Sequence, residues 1–154
     1  MTTINEFQGD YRFLSNFYIG NPLKVLGMTF QTSEHMYQAL KTTDPVEVRS
    51  ILACQTPGEA KRLGKDLTLR PDWDQVKDRA MELCVGYKFA ANPDLLFKLL
   101  DTGSTFLVEG NHWHDNYWGA CFCDRCKGVD QHNKLGYTLM RYRDSMNRWT
   151  AIDI

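Results

Sequence analysis

Long apolar runs are missing from this sequence: nothing approaches the roughly 20 consecutive apolar residues that a membrane-spanning helix needs. The N-terminal stretch Met1-Thr2-Thr3-Ile4-Asn5-Glu6 has neither a basic nor an apolar region, so no secretory leader is expected and the chain reads as cytoplasmic, away from membranes. An excess of one charge is missing too. With 18 Lys+Arg against 19 Asp+Glu the formal net charge is -1, which argues against a whole-surface electrostatic grip on nucleic acid and for small-molecule partners. Repeats, linkers and low-complexity segments are absent. The composition, 43% hydrophobic and 24% charged, is that of an ordinary globular protein. A chain of 154 residues can bury most of its apolar surface without staples, so residues 1–154 are expected to form a single domain.

What is plentiful is more telling. Aromatic residues make up 12% of the chain, and of five cysteines three crowd into Cys121-Phe122-Cys123-Asp124-Arg125-Cys126. In a reducing compartment that spacing suggests a metal or free thiols rather than a disulfide framework.

The first thirty residues alternate apolar and polar side chains in short runs punctuated by Gly20-Asn21-Pro22 and Leu26-Gly27-Met28, which predicts strands or extended segments. From Thr32 the period becomes helical. Asp44-Pro45-Val46-Glu47 and Thr56-Pro57-Gly58-Glu59 each supply a cap, a proline at the first helical position and a glutamate at the third. A longer helix is expected from about Trp73 to Phe89, and another from Asn92-Pro93 to a stop at Gly103. A short strand is expected at Phe106–Glu109, then a glycine-, aromatic- and cysteine-rich stretch from Gly110 to Gly128, then a last helix from about Lys134 to Met146. The predicted class is α+β, helix-rich, with a few short N-terminal strands.

Three places draw attention for chemistry. In the helix opened by Ser33, Glu34, Gln38 and Lys41 are spaced i, i+4, i+7 and share a face, opposite Met36, Ala39 and Leu40. That face is either a solvated ladder or the wall of a site, where the helix dipole would keep Glu34 ionised. In the Trp73 helix, Lys77 interrupts an apolar stripe of Trp73, Val76, Ala80, Cys84 and Tyr87, with Met81 and Lys88 at its margin. Such a lysine either snorkels to water or, desolvated, becomes a nucleophilic amine. The run His112-Trp113-His114-Asp115-Asn116-Tyr117-Trp118-Gly119 packs two histidines, a carboxylate and three aromatics into eight residues outside any periodic element. Aromatic faces stack on bases, and carboxylates accept hydrogen bonds from ribose hydroxyls. A basic strip of Lys61, Arg62, Lys65 and Arg70 is either a solvated face or a local phosphate grip.

Taken in order, the residues resemble the NADAR, or YbiA-like, family between about Gln8 and Arg143. They are Phe13-Leu14-Ser15-Asn16-Phe17-Tyr18, Ser33-Glu34-His35 with Tyr37-Gln38-Ala39 and Lys41, Trp73 with Val76-Lys77 and Met81, and Lys88-Phe89. They continue with Leu99-Leu100 and Thr102-Gly103, Asp115-Asn116 with Trp118-Gly119, and Asn133 with Leu135-Gly136, Leu139-Met140 and Arg141 or Arg143. The resemblance implies an N-glycosidase acting on a ribosylated base, either a phosphoribosylated intermediate of riboflavin synthesis or ADP-ribosylated guanine. It places Glu34, Lys41, Asp115 and Trp118 nearest the chemistry, with Asn16, Phe17, Gln38, Trp73, Lys77, Met81, Gly119 and Asn133 shaping or lining the pocket. Lys41 and Lys77 both stand as the reactive lysine. No cofactor is implied for the chemistry itself. A non-catalytic module that binds ADP-ribose or a nucleotide is the alternative.

The chain departs from the shortest family pattern between Trp118-Gly119 and Leu135-Gly136, where Cys121, Cys123 and Cys126 replace a glycine-rich loop. Three thiolates need a fourth ligand to complete tetrahedral zinc. His132, His114 or His112 is available in sequence, against the alternative of three reduced thiols packed in a loop.

Overall fold

A computed structural model of the chain describes residues 2–150. The fold is α+β with helices in the majority. In chain order come β1 (Thr3–Ile4), a 3-10 segment (Gly9–Leu14), β2 (Leu23–Val25), β3 (Met28–Phe30), α1 (Ser33–Ala39), α2 (Pro45–Ala53) and α3 (Pro57–Gly64). They are followed by α4 (Trp73–Ala91), α5 (Pro93–Asp101), β4 (Phe106–Leu107), β5 (Gly110–Asn111), β6 (Ala120–Cys121), a 3-10 turn (Asp124–Cys126) and α6 (Lys134–Thr150). Among the described residues no helix is long and apolar enough to cross a membrane. The chain divides into two compact units: Asn16–Pro93, and the residues up to Ser15 together with those from Asp94 onward.

In the Asn16–Pro93 unit, β2 and β3 form an antiparallel hairpin with Val25 opposite Met28. The two-residue loop has φ 50° at Leu26 and 81° at Gly27, the double positive φ of a type I′ turn. Leucine is a poor occupant of such a site, and its side chain is 93% exposed.

The prolines at the starts of α2 and α3 stand where their missing N–H costs nothing. Thr56 Oγ1 accepts the Glu59 N–H at 3.1 Å while Glu59 reaches back to the Gln55 N–H at 2.9 Å. At α2 the expected reciprocal cap does not close. Asp44 Oδ1 takes the Val46 N–H at 2.8 Å, and Glu47 instead accepts from the Thr42 hydroxyl at 2.6 Å and the Thr68 N–H at 2.9 Å. Tertiary donors outcompete the local one.

Helix α1 packs against α2, α3, α4 and β3, and all seven of its residues are buried. His35 is satisfied on both sides: the Thr32 hydroxyl lies 2.8 Å from Nδ1, and Nε2 lies 3.0 Å from the Cys54 carbonyl. Because a carbonyl only accepts, Nε2 is the donor to Cys54.

Helix α4 packs on both α1 and β2. Its buried stripe is therefore broader than the predicted one and turned relative to it: Trp73, Ala80, Met81, Cys84, Val85, Lys88 and Phe89. Val76 is only half-buried and Tyr87 is exposed.

In the other unit, β1 and β4 run parallel with Thr3 opposite Phe106, and β5 and β6 run parallel with Gly110 opposite Ala120. Helix α6 packs on β4. Its buried Arg143 donates from Nη1 to the Thr102 hydroxyl and the Thr105 carbonyl, both at 2.8 Å, fixing the link from α5 to β4. The segment Gly9–Leu14, expected to be extended, is helical. Its adjacent residues Phe13 and Leu14 are both buried, whereas a strand would send them to opposite faces.

Candidate functional site

Glu34 sits in the first turn of α1 with 7% of its surface exposed. Its N–H donates to the Asn16 carbonyl at 3.2 Å, and the Asn16 side chain accepts from the Ser33 hydroxyl at 3.0 Å and contacts Met81 Sδ at 3.3 Å. Asn16 thus ties the start of α1 to α4. One turn on, Gln38 is 3% exposed and donates from Nε2 to Glu34 Oε1 at 2.8 Å. Gln38 Oε1 is buried and has no hydrogen-bond partner among the described residues. Position 64 on α3 is a glycine for a steric reason: an added Cβ would collide with that amide oxygen.

Lys41 follows α1 and closes its last turn, its N–H donating to the Gln38 carbonyl at 3.1 Å. The ammonium lies 5.3 Å from the Tyr37 ring centroid, and that ring packs against Trp73 at 5.5 Å. Burial pulls the Lys41 pKa below the ordinary lysine range; the Glu34 carboxylate works in the opposite direction and Lys61 adds to the lowering. Lys61 in turn stands over the Phe17 ring at 5.7 Å. The polar residues of α1 are therefore interior, which rules out the reading of Glu34 and Gln38 as a solvated ladder. Glu34 also reaches α4: burial first, and its charge second, push the Cys84 thiol well above the usual range, so that cysteine is an inert neutral thiol.

The other predicted lysine is placed differently. Lys77 lies at the edge of α4, 3.5 Å from Asp74. The lysine that α4 does bury is Lys88, 3% exposed and flanked by the Tyr18 and Phe89 rings at 6.0 and 5.4 Å. Sequence reading left it at the margin, although its position four residues after Cys84 marks it as part of the same buried stripe. Of the basic strip, Arg70 is engaged with Asp72 at 2.6 and 3.0 Å, while Arg62 and Lys65 are exposed.

In the other unit, Asp115 and Trp118 belong to one turn. Asp115 Oδ1 accepts the N–H groups of Tyr117 at 3.2 Å and Trp118 at 2.9 Å, and the Tyr117 and Trp118 rings meet edge to face at 4.8 Å. Asn111, which the sequence did not single out, braces the turn. Its Oδ1 accepts from the N–H groups of Trp113 and Asp115, and its Nδ2 donates to the Asp115 carbonyl at 2.8 Å. The carbonyls of Tyr117, Trp118 and Gly119 accept the N–H groups of Lys134, Leu135 and Asn133, three donors at the start of α6 that have no partner within that helix. Gly119 admits no side chain, since a Cβ would collide with the Glu109 carbonyl. Asn133, at φ 47°, accepts the Glu109 N–H at 3.0 Å and donates to the Leu107 carbonyl at 2.9 Å. Both ends of its amide hold backbone groups, so it braces the framework of this turn.

The cysteines complete this region. His114 Nδ1 lies 3.3 Å from Cys123 Sγ, 3.4 Å from Cys126 Sγ and 3.9 Å from Cys121 Sγ, and the four donor atoms lie within 4.8 Å of one another. His112 and His132 are elsewhere, packed against Phe122 and Tyr117.

Comparison with known proteins shows the family. The family model described as the NADAR domain matches residues 4–147. The chain is 37% identical over 149 residues to N-glycosidase YbiA of Escherichia coli (strain K12), covering 94% of this chain and 89% of that protein. It is 34% identical over 141 residues to the riboflavin biosynthesis protein VVA0006 of Vibrio vulnificus (strain YJ016), covering 89% of this chain and 36% of that one. The NMR structure of the E. coli protein YbiA superposes with a TM-score of 0.86 at 34% identity, covering 99% of this chain and 89% of that one.

Proposed function

The chain belongs to the NADAR domain family, and on that premise we propose that it is an N-glycosidase that hydrolyses the bond joining a ribosyl group to a base. The observation that carries the reading is the interior Glu34–Gln38 pair beside Lys41. Breaking a ribosyl C–N bond builds positive charge at the anomeric carbon and negative charge on the departing base. A carboxylate fixed by Gln38 and withdrawn from water is suited to stabilise the first. An ammonium of lowered pKa is suited to give a proton to the second, because its acidity lies closer to neutrality.

The environment favours Lys41 over Lys77 for this role, since Lys41 feels Glu34 directly whereas Lys77 sits at a helix edge beside Asp74. The same lowered pKa also suits a free amine that captures the aldehyde of an opened sugar as a Schiff base. We assign Asp115 and Trp118 to substrate as well, the carboxylate to hydroxyls of the sugar and the indole to stacking on the base. Gly119 and Asn133 hold their turn, while Asn16, Phe17, Trp73 and Met81 shape the surroundings of Glu34.

The substrate class, a ribosylated base, draws support from the names of the relatives, an N-glycosidase and a riboflavin biosynthesis protein. Chromatographic assay of base and sugar release is the test, run side by side on ADP-ribosylated guanine and on phosphoribosylated riboflavin intermediates. Equimolar base and sugar from either arm is expected and identifies the substrate. Saturable binding in either arm without base release overturns hydrolysis and leaves a binding module.

A further inference from the structure

We propose that His114, Cys121, Cys123 and Cys126 form a structural zinc site that locks the Asp115–Trp118 turn in place. The donor set is three sulfurs and one imidazole, a composition characteristic of closed structural zinc sites. The spacing fits the ion: with Zn–S about 2.3 Å and Zn–N about 2.0 Å, a tetrahedron separates the nitrogen from each sulfur by about 3.5 Å. The separations here are 3.3, 3.4 and 3.9 Å.

The surroundings are those of a ligand knuckle. Asn116 Nδ2 points at Cys126 Sγ at 3.4 Å. Gln131 clamps the loop by accepting the Cys121 N–H at 2.9 Å and donating to the Cys121 carbonyl at 3.0 Å. Such donors orient thiolates and offset their charge. One contact must change on loading. Arg125 Nη1 lies 3.4 Å from His114 Nε2, and metal on Nδ1 leaves a proton on Nε2. Arg125 is exposed, so it swings aside without disturbing the interior.

The site bears on the turn because His114 is covalently joined to Asp115 and takes the left-handed backbone conformation, φ 71°, which non-glycine residues adopt only when held there. Asn116, inside the turn, touches the same Cys126 sulfur. Binding releases the thiol protons and replaces them with Zn–S bonds, so no oxidant or reductant is involved.

The test begins with protein purified under reducing conditions without added metal. Metal analysis is expected to give one zinc per chain, lost in Cys123→Ser and retained in Cys54→Ser, whose thiol lies outside the cluster. Cobalt substitution is expected to show tetrahedral ligand-field bands with thiolate charge transfer. Zinc removal by chelator is expected to speed amide hydrogen exchange across residues 113–121 and to lower kcat/KM roughly tenfold or more, with both recovering on zinc return. A metal-free protein with three freely titrating thiols overturns the site, as does one with a Cys–Cys disulfide. Zinc bound with exchange at 113–121 unaltered by its removal overturns the locking role. The metal analysis, cobalt spectra and hydrogen exchange do not depend on the substrate, so their failure is distinct from failure of the glycosidase reading, on which the kcat/KM arm alone rests.

Discussion

The two carboxylates assigned to the reaction are held in place by opposite means. Glu34 rides on a helix packed on several sides, and its carboxylate accepts a hydrogen bond from the side chain of Gln38 one turn on. Asp115 ties its own turn, its Oδ1 accepting from two backbone N–H groups, in a stretch whose strands are two residues long. One carboxylate is positioned by a packed helix and a neighbouring side chain; the other, proposed for substrate, also shapes the chain it stands on.

The sharpest way to break this contrast is Glu34→Gln, which keeps the shape and removes the charge. Turnover is expected to fall roughly 10²–10³-fold with an unchanged melting temperature, as read by base release and thermal denaturation. A pH profile of the wild type separates the two roles of Lys41. If the ammonium is the proton donor, the rate falls as pH rises through a pKa below the usual lysine value of about 10.4; if the free amine is the nucleophile, it rises over the same window. The stability contribution has a fixed sign. Since the folded pKa is depressed, the unfolded chain holds more protons between the two values, and the Lys41 contribution to stability grows with pH across that window.

Asp115→Ala is expected to lose turnover and also about 1–2 kcal/mol of stability, because two N–H groups lose their acceptor. A melting temperature as high as wild type would mean the turn does not rest on that carboxylate. Asn133→Ala is expected to cost roughly 1–3 kcal/mol in chemical denaturation by stranding the Glu109 N–H and the Leu107 carbonyl. The smallest change concerns the hairpin, where Leu26→Asn is expected to stabilise by about 0.5–1 kcal/mol, since asparagine tolerates the positive φ that leucine does not.

Much of this was legible before any coordinates. Helix starts at Pro45, Pro57, Trp73 and Pro93 follow from caps, prolines and periodicity, which are local signals. The face of α4 was not legible in full, because it is set by which neighbours press on it. With α1 and β2 both against it, Lys88 becomes the buried lysine and Lys77 the peripheral one. The pairing of Glu34 with Gln38 could be anticipated from i, i+4 spacing, but its burial could not, since a seven-residue helix with Ser33, Glu34, His35 and Gln38 among its side chains reads as amphipathic. Likewise the cysteine spacing announced a cluster without selecting the histidine. That choice is made by the fold, which brings the ring of His114, a residue at positive φ, to the three sulfurs.

The pairing of β1 with β4 sets a schedule for the nascent chain. The partners of Thr3 and Ile4, Phe106 and Leu107, are synthesised about a hundred residues after them, on the order of 5–20 s at ordinary translation rates. During that interval the whole of Asn16–Pro93 has been made and is free to fold, while the N-terminal strand waits with its hydrogen-bonding edge bare. Slowing translation ahead of residue 106 would lengthen the exposure of β1 without touching the order in which Glu34 and Lys41 are assembled.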